Sequence, residues 1–274
     1  MFKKIKKILS RFFQSRSVIL SILLVLMGFV LIRRLFDLQI INGESYQDNY
    51  NLQITRETTI PSTRGCIYDS DGNLLAYNKL AYDVTFQDVG SYETTREKNL
   101  TINSYLYQIM QILYANGDDV YTDFAIKIND AGEYEYTKSG TNLLRFRADV
   151  YGQADPADMK PYQKSVSAED MVKELGGDGD YGFGVVSESL EKPYTAAELE
   201  QYGLPETLSQ EDALKIIAMR SAINQNNYQK YISTTIAKDI SDKSMSSLME
   251  SKGYYVGVDV EESSIRVYNE SLYY

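Results

Sequence analysis

The sequence predicts an α+β protein: a single N-terminal transmembrane helix followed by a mixed α+β region of short strands and helices, with an inserted head subdomain. Three observations predict it. A charge-free apolar run lies near the N-terminus, the charge changes sign on either side of it, and the remainder alternates between strand-like and capped helical segments.

The net charge of −10 conceals the asymmetry. Residues 1–34 hold eight basic side chains and no acid, which leaves 20 basic against 38 acidic groups in the rest. An acidic ectodomain repels phosphate, so nucleic acid is not among the expected partners. With no histidine and one cysteine, Cys66, the chain has no His-dependent catalytic triad, His-ligated metal or internal disulfide. No cofactor or metal is expected. The Cys66 side chain is expected to be a small buried hydrophobe in a strand.

Val18–Ile32 is free of charge. Its fifteen residues rise only about 22 Å, less than the ~30 Å hydrocarbon core of a bilayer. The apolar character resumes after Arg33-Arg34, whose long side chains can snorkel to headgroups. Together these segments predict an uncleaved anchor over residues 17–41, because no alanine precedes Ala76 to form a small-residue cleavage site. Six basic residues precede the span and two follow it directly, which orients residues 1–16 toward the cytoplasm. Within that tail, Phe2, Ile5, Ile8, Leu9, Phe12 and Phe13 recur at helical spacing among lysines. This fits an interfacial helix on anionic membrane lipid or a disordered basic stub.

Beyond Asn42-Gly43, Leu52–Ile60 reads as a strand. Cys66–Tyr68 and Leu74–Ala76 form a hairpin about Asp69–Asn73. The spacing of Ile102, Tyr105, Leu106, Ile109, Ile112 and Leu113 predicts a helix ending at Asn116-Gly117. Residues 124–137 alternate around an Asp-Ala-Gly turn, and 150–185 read as loop. Three helices start at Thr195 (with Glu198 completing a capping box), Ser209 and Ser241. Residues 254–270 alternate like a strand pair.

Residues 60–78 and 228–274 carry a resemblance. Arg64, Gly65, Ile67, Asp69, Gly72, Leu75 and Ala76 match the class B penicillin-binding protein signature Arg-Gly-x-Ile-x-Asp-Arg-Asn-Gly-x-x-Leu-Ala, with Ser70 and Asp71 departing from it. Tyr231, Ile236-Ala237, Ile240, Glu250, Val256-Gly257-Val258 and Arg266-x-Tyr268 are similar to a later block of that family, with Asn269 in place of its usual proline. The resemblance covers residues 1–85 and 228–274. It implies that 42–274 is the pedestal, or dimerisation, domain, with a base of 51–85 and 228–274 and an inserted head of 86–227. Arg64, Gly65, Asp69, Gly72, Glu250, Gly257 and Arg266 are its structural motif residues. It also implies a cell-wall role beside a glycan polymerase of the SEDS family, with a homodimer among its associations.

The family's catalytic set is missing. The Ser-x-x-Lys at Ser189–Lys192 is followed by Pro193, which disfavours helix at Lys192. Lys138-Ser139-Gly140 lies on the wrong side of it, and no Ser-x-Asn follows. The resemblance therefore implies a non-catalytic chain, cut short of the transpeptidase domain its parent would carry. The same topology would also suit a surface sensor or adhesin, and 38 acids would allow a carboxylate-pair glycosidase. A calcium loop at Asp69-x-Asp71-x-Asn73 fails, since Leu74 and Leu80 stand where it needs Gly and Glu. The two ends of the ectodomain, each too small to fold alone, are expected to share one mixed sheet covered by the helix ending near Ser251. In that sheet Ile67, Leu75, Val256, Val258 and Val260 would be its buried alternation, and Arg64–Glu250 or Asp69–Arg266 would form an ion pair across it.

Overall fold

The structure, a computed structural model, describes residues 16–37, 62–188, 190, 193–226 and 232–269. The strand expected at 52–60, the basic tail, Ser189, Lys192 and Tyr231 lie outside the described residues. Two compact units are present, Met1–Ser62 and Thr63–Tyr274.

In the first unit, α1 spans Arg16–Phe36 with Arg33 and Arg34 in its last turn. Its large apolar side chains from Leu20 to Phe36 are exposed. Among the described residues no helix is long and apolar enough to cross a membrane.

The second unit is built on one long strand. β1 (Ile67–Tyr68) turns into β2 (Leu74–Phe86). β2 pairs with β6 (Val258–Tyr268) from Ala76↔Tyr268 to Phe86↔Val258. On its other edge β2 meets β1 near its start and β5 (Thr234–Ala237) near its end. All three pairings are antiparallel, so the expected mixed sheet is corrected: segments from the two ends of the domain meet head to tail. The expected strand pair at 254–270 is likewise a single strand, because β2 is long enough to match all of it. A small hairpin, β3 (Ile126–Ile128) with β4 (Tyr134–Tyr136), stands apart from the sheet.

Helices fill the space between these strands. α2 (Thr95–Ala115) begins where the Thr94 hydroxyl accepts from Glu97 N and ends at Asn116, with Gly117 at φ 84°. It buries Ile102, Leu106, Ile109 and Leu113 completely, each contributing about 1.5–3 kcal/mol. α3 spans Gly140–Val150. The segment read as loop holds a 3-10 turn at Pro156–Asp158, α4 (Pro161–Ser165) and α5 (Ala168–Gly176). These elements are short, of three, five and nine residues, and the glycines of the segment cluster at and after their end, at 176–184; the Ser167 hydroxyl caps Asp170 N in the ordinary way. α6 (Ala196–Gln201) starts at the expected capping box. α7 (Gln210–Gln225) follows the Ser209 cap and is buried on most of its circumference, as a helix crossing a domain interior must be. α8 (Asp242–Ser251) packs on β6 and α2.

One continuous core joins Val84, Phe86 and Val258 of the sheet to α2, α5 and α7. Residues 86–227 therefore share their interior with the sheet instead of closing a core of their own. At the centre Arg220 is buried, donating to the Asn99 side chain and lying over the Phe183 ring at 5.2 Å. Burial depresses its pKa to about 10. Asp88 stands beside it and takes an ion pair of 2.6 Å from Lys98.

Candidate interaction site: the β-arm

The core covers only one end of the sheet. Ala81, Val84, Thr85 and Phe86 are buried in the core, whereas in the half of β2 toward Leu74 Ala76 alone is buried, and β1 and Tyr268 at the end of β6 are exposed. Cross-strand partners share a face. Ile67, Ala76, Asn78, Leu80, Ser264, Arg266 and Tyr268 therefore lie on one face of this arm, and Tyr77, Lys79, Ile265 and Val267 on the other. Ile67, Tyr68, Leu80 and Tyr268 are all more than half exposed. Two expectations are corrected here. Ile67 and Val256 are exposed, not members of a buried alternation, and Cys66 is an exposed thiol just ahead of β1. For Cys66 and Ile67 the cause is that, among the described residues, no helix layer lies over this end of the sheet; Val256 is exposed at the opposite end, in the turn that precedes β6.

The arm is held by a clip that crosses three chain segments. Arg266 Nη1 donates to the Gly65 carbonyl at 2.7 Å and to Asn78 Oδ1 at 3.0 Å. The Asn78 side-chain amide donates in turn to the Arg64 carbonyl. A charged donor makes such bonds about twice as strong as neutral ones. Asn269 extends the ladder, its N–H reaching Leu75 O at 2.9 Å and its amide Leu74 O at 2.6 Å. At the tip, Asp69 Oδ1 accepts from the Asp71 and Asn73 N–H groups, and Oδ2 from the Asn73 amide. These bonds, the Asn73 side chain foremost, hold the Asp69 carboxyl below the ordinary carboxylate range. Gly72, at φ 84°, closes the turn.

The structure thus brings Arg64, Gly65, Asp69, Gly72 and Arg266 into one arm, and leaves Glu250 and Gly257 at the other end of the sheet. Neither expected ion pair is formed. Arg266 spends its donors on Gly65 and Asn78, Asp69 is satisfied within its own turn, and Glu250 is exposed on α8. Arg64 contributes its backbone carbonyl to the clip. Gly257 has a separate role. At φ +90° it lets β6 start against Gln87, whose N–H donates to Gly257 O at 2.8 Å, and a Cβ there would lie 2.0 Å from Gln87 O. Sequence reading missed Asn78, although it sits within the first motif block and faces Arg266 across the ladder.

An arm of this kind presents apolar faces and strand edges on a rigid frame, and such exposed apolar surface marks a place of contact with other molecules. Lys138-Ser139-Gly140, by contrast, serves the start of α3, with Ser139 as its N-cap residue.

Comparison with known proteins agrees with the reading of the two motif blocks. The family model described as "Penicillin-binding Protein dimerisation domain" matches residues 59–273. Among solved structures, penicillin-binding protein 2B of Streptococcus pneumoniae strain 5204 matches at 20% identity, with a TM-score of 0.34, over 78% of this chain and 26% of that one. The same protein from strain R6 matches at 17% identity and a TM-score of 0.31, over 77% of this chain and 26% of that one. The chain spans about a quarter of the length of these structures. No curated protein matches it.

Proposed function

The chain belongs to the penicillin-binding protein dimerisation-domain family, the pedestal of class B penicillin-binding proteins, and from that premise we propose a membrane-anchored module of peptidoglycan synthesis that works by contact. The observation that carries this reading is the arm: an apolar, two-faced sheet end locked by the Arg266–Asn78–Gly65 clip. Rigid apolar surface of this sort costs little ordering entropy when it docks. In this reading the parent protein is a D,D-transpeptidase, and the pedestal sets its height above the bilayer.

α1 supplies the anchor. Its exposed apolar side chains suit lipid, and Arg33 and Arg34 suit the headgroup layer on its far side. The six basic residues ahead of the apolar run favour a cytoplasmic N-terminus, with the acidic domain outside the cell. A glycan polymerase of the SEDS family is the proposed partner, met through the anchor and the arm.

The test uses the full chain in bacterial membranes and in lipid nanodiscs. Alkaline carbonate should leave it in the membrane, and it should co-purify with a SEDS-family polymerase. Leu80→Glu combined with Tyr268→Glu, both at exposed arm positions, should abolish co-purification without affecting membrane retention. Release by carbonate refutes the anchor, and undiminished co-purification of the double variant refutes the arm as the contact.

A further inference from the structure

We propose that a small cavity between Arg220 and Asp88 is a binding site for a singly charged oxyanion that keeps one hydroxyl proton, of the hydrogencarbonate type. It lies in the core of the second unit and does not depend on the arm or its contacts.

The cavity is where four segments meet. Asp88 follows β2, Lys98 stands early in α2, Arg220 lies on α7, and Thr234 opens β5. Its room for the centres of water-sized groups is about 30 Å³, where a single water needs about 10–15 Å³. That admits two waters or one small ion, and no ring or side chain.

Two charged groups lining it are left incomplete. Arg220 is 5% exposed, its Nη2 donates to Asn99 Oδ1, and its Nη1 has no hydrogen-bond partner. The Asp88 side chain is 10% exposed, its Oδ2 takes the 2.6 Å ion pair from Lys98, and its Oδ1 has no partner. Buried polar groups are nearly always hydrogen-bonded, so each bare one calls for an account. Here a bare donor and a bare acceptor line the same cavity without bonding each other. An occupant that completes both must accept from Nη1 and donate to Oδ1.

Charge then narrows the choice. Arg220 and Lys98 bring two positive charges to the cavity, against one negative charge from Asp88. Tyr92 beside Asp88 and Tyr194 beside Arg220 stay neutral, since burial raises the pKa of both hydroxyls. Burial lowers that of Arg220 to about 10, which leaves it charged at neutral pH. One positive charge is therefore uncompensated where desolvation makes it costly. An anion offsets that charge and water does not. Chloride, nitrate and sulfate carry no proton to donate, and each would set negative charge against Oδ1. Hydrogencarbonate meets both demands: a bare oxygen accepts from Nη1, and its hydroxyl donates to Oδ1. The Thr234 hydroxyl, which accepts from Asn226 Nδ2 at 3.0 Å, retains its own proton for a third contact. Bound there, the ion joins the end of β2 to α2, α7 and β5, where the sheet and the helices share their core.

Nitrate makes the test sharp, because it matches hydrogencarbonate in shape and charge and lacks only the proton. The full chain in detergent is unfolded in urea at mildly alkaline pH and constant ionic strength, with chloride as the balancing salt. The urea midpoint should rise and saturate as hydrogencarbonate replaces chloride, since a ligand that binds only the folded state stabilises it. Saturation separates binding from a general salt effect. Nitrate should need at least about tenfold more for the same rise, because it leaves Oδ1 bare. The ¹³C resonance of labelled hydrogencarbonate should broaden in the presence of the protein and sharpen again with Arg220→Met. Asp88→Asn, which can donate where the carboxylate only accepts, should bring the two anions to within about threefold of each other. An unchanged far-UV spectrum checks that each variant folds, and the comparison of the two anions on the unaltered chain stands without them. Equal effects of nitrate and hydrogencarbonate there, or no saturable rise with either, overturn the proposal and leave the cavity to water.

Discussion

Three glycines of the motif, Gly65, Gly72 and Gly257, are chemically identical substitutions with different predicted costs. At Gly257 an added Cβ meets two obstacles. The backbone sits at φ +90°, which for an L-residue costs about 1–2 kcal/mol. The new carbon would also lie 2.0 Å from Gln87 O and 3.1 Å from Gln87 C. Those are backbone atoms that cannot rotate away, so the start of the β2–β6 ladder must shift, at about 1–3 kcal/mol for overpacking. Gly257→Ala is therefore expected to lose about 2–5 kcal/mol, a large share of the ~5–15 kcal/mol of a typical domain.

Gly72 shares the positive φ, at +84°, but nothing lies within 4 Å of its added Cβ. Its cost is the backbone term alone, partly offset by the lower entropy of the unfolded alanine chain, for a net of about 1 kcal/mol. Gly65 has neither obstacle, so Gly65→Ala should be neutral or stabilising by up to about 1 kcal/mol. The assay is equilibrium urea unfolding of the full chain in detergent, followed by the fluorescence of its 24 tyrosines, with no tryptophan to interfere. The order Gly257 > Gly72 > Gly65 in lost stability is the expected result. A Gly257→Ala variant as stable as Gly72→Ala would refute the claim that the Gln87 contact governs this position.

Four further outcomes follow from the same structure. Arg220→Ala should destabilise by about 3–5 kcal/mol in urea, while Arg220→Met, which fills the volume without a buried charge, should recover at least about 1 kcal/mol of that. Glu198 is held down to about 2 chiefly by its hydrogen bonds from Arg96, against about 4.3 when unfolded. Its contribution is present above the unfolded value and is lost as pH falls toward 2, so the urea midpoint should drop over that window and drop less in Glu198→Gln. Asn269→Pro should remove the N–H bond to Leu75 O and the amide bond to Leu74 O, raising amide exchange at the arm tip while leaving the core protected. Fluorescent penicillin should not label the chain; stoichiometric labelling of any serine would overturn the non-catalytic reading.

Local chemistry was legible in the sequence wherever a few neighbouring residues decide the outcome. Thr195 with Glu198, Ser209 with Asp212 and Ser241 with Ser244 are caps in the structure because each needs only a hydroxyl three residues ahead of an N–H. The Asp69–Asn73 turn and the Asn116-Gly117 stop are of the same kind. Layering was not legible. Alternation in residues 66–76 and 256–260 is the same pattern whether or not a helix lies on top. Whether Ile67 and Cys66 are covered depends on how far the helices between β2 and β5 reach along the sheet. The buried cation was hidden for the same reason. Arg220 sits in the run Lys215–Ile223 like any residue on the polar stripe of a surface helix, and its partner Asn99 lies 121 positions away.

The clip shows why the contacts of the motif residues were mistaken. Arg64, Asp69, Glu250 and Arg266 invite pairing by charge, since side chains are what a sequence displays. In the structure the acceptors for Arg266 are a backbone carbonyl at Gly65 and the neutral Asn78. Every residue owns a carbonyl, so no residue type announces that one will be used. What selects Gly65 is geometry: β1 enters the sheet opposite Ala76, which sets the preceding residues beside Asn78, and the β2–β6 register sets Arg266 across from that same asparagine. An arginine long enough to cross one strand then reaches the backbone beyond it. The register supplies the specificity and the charge supplies the strength, so changing the residue type at position 64 should matter less than displacing either strand by one residue.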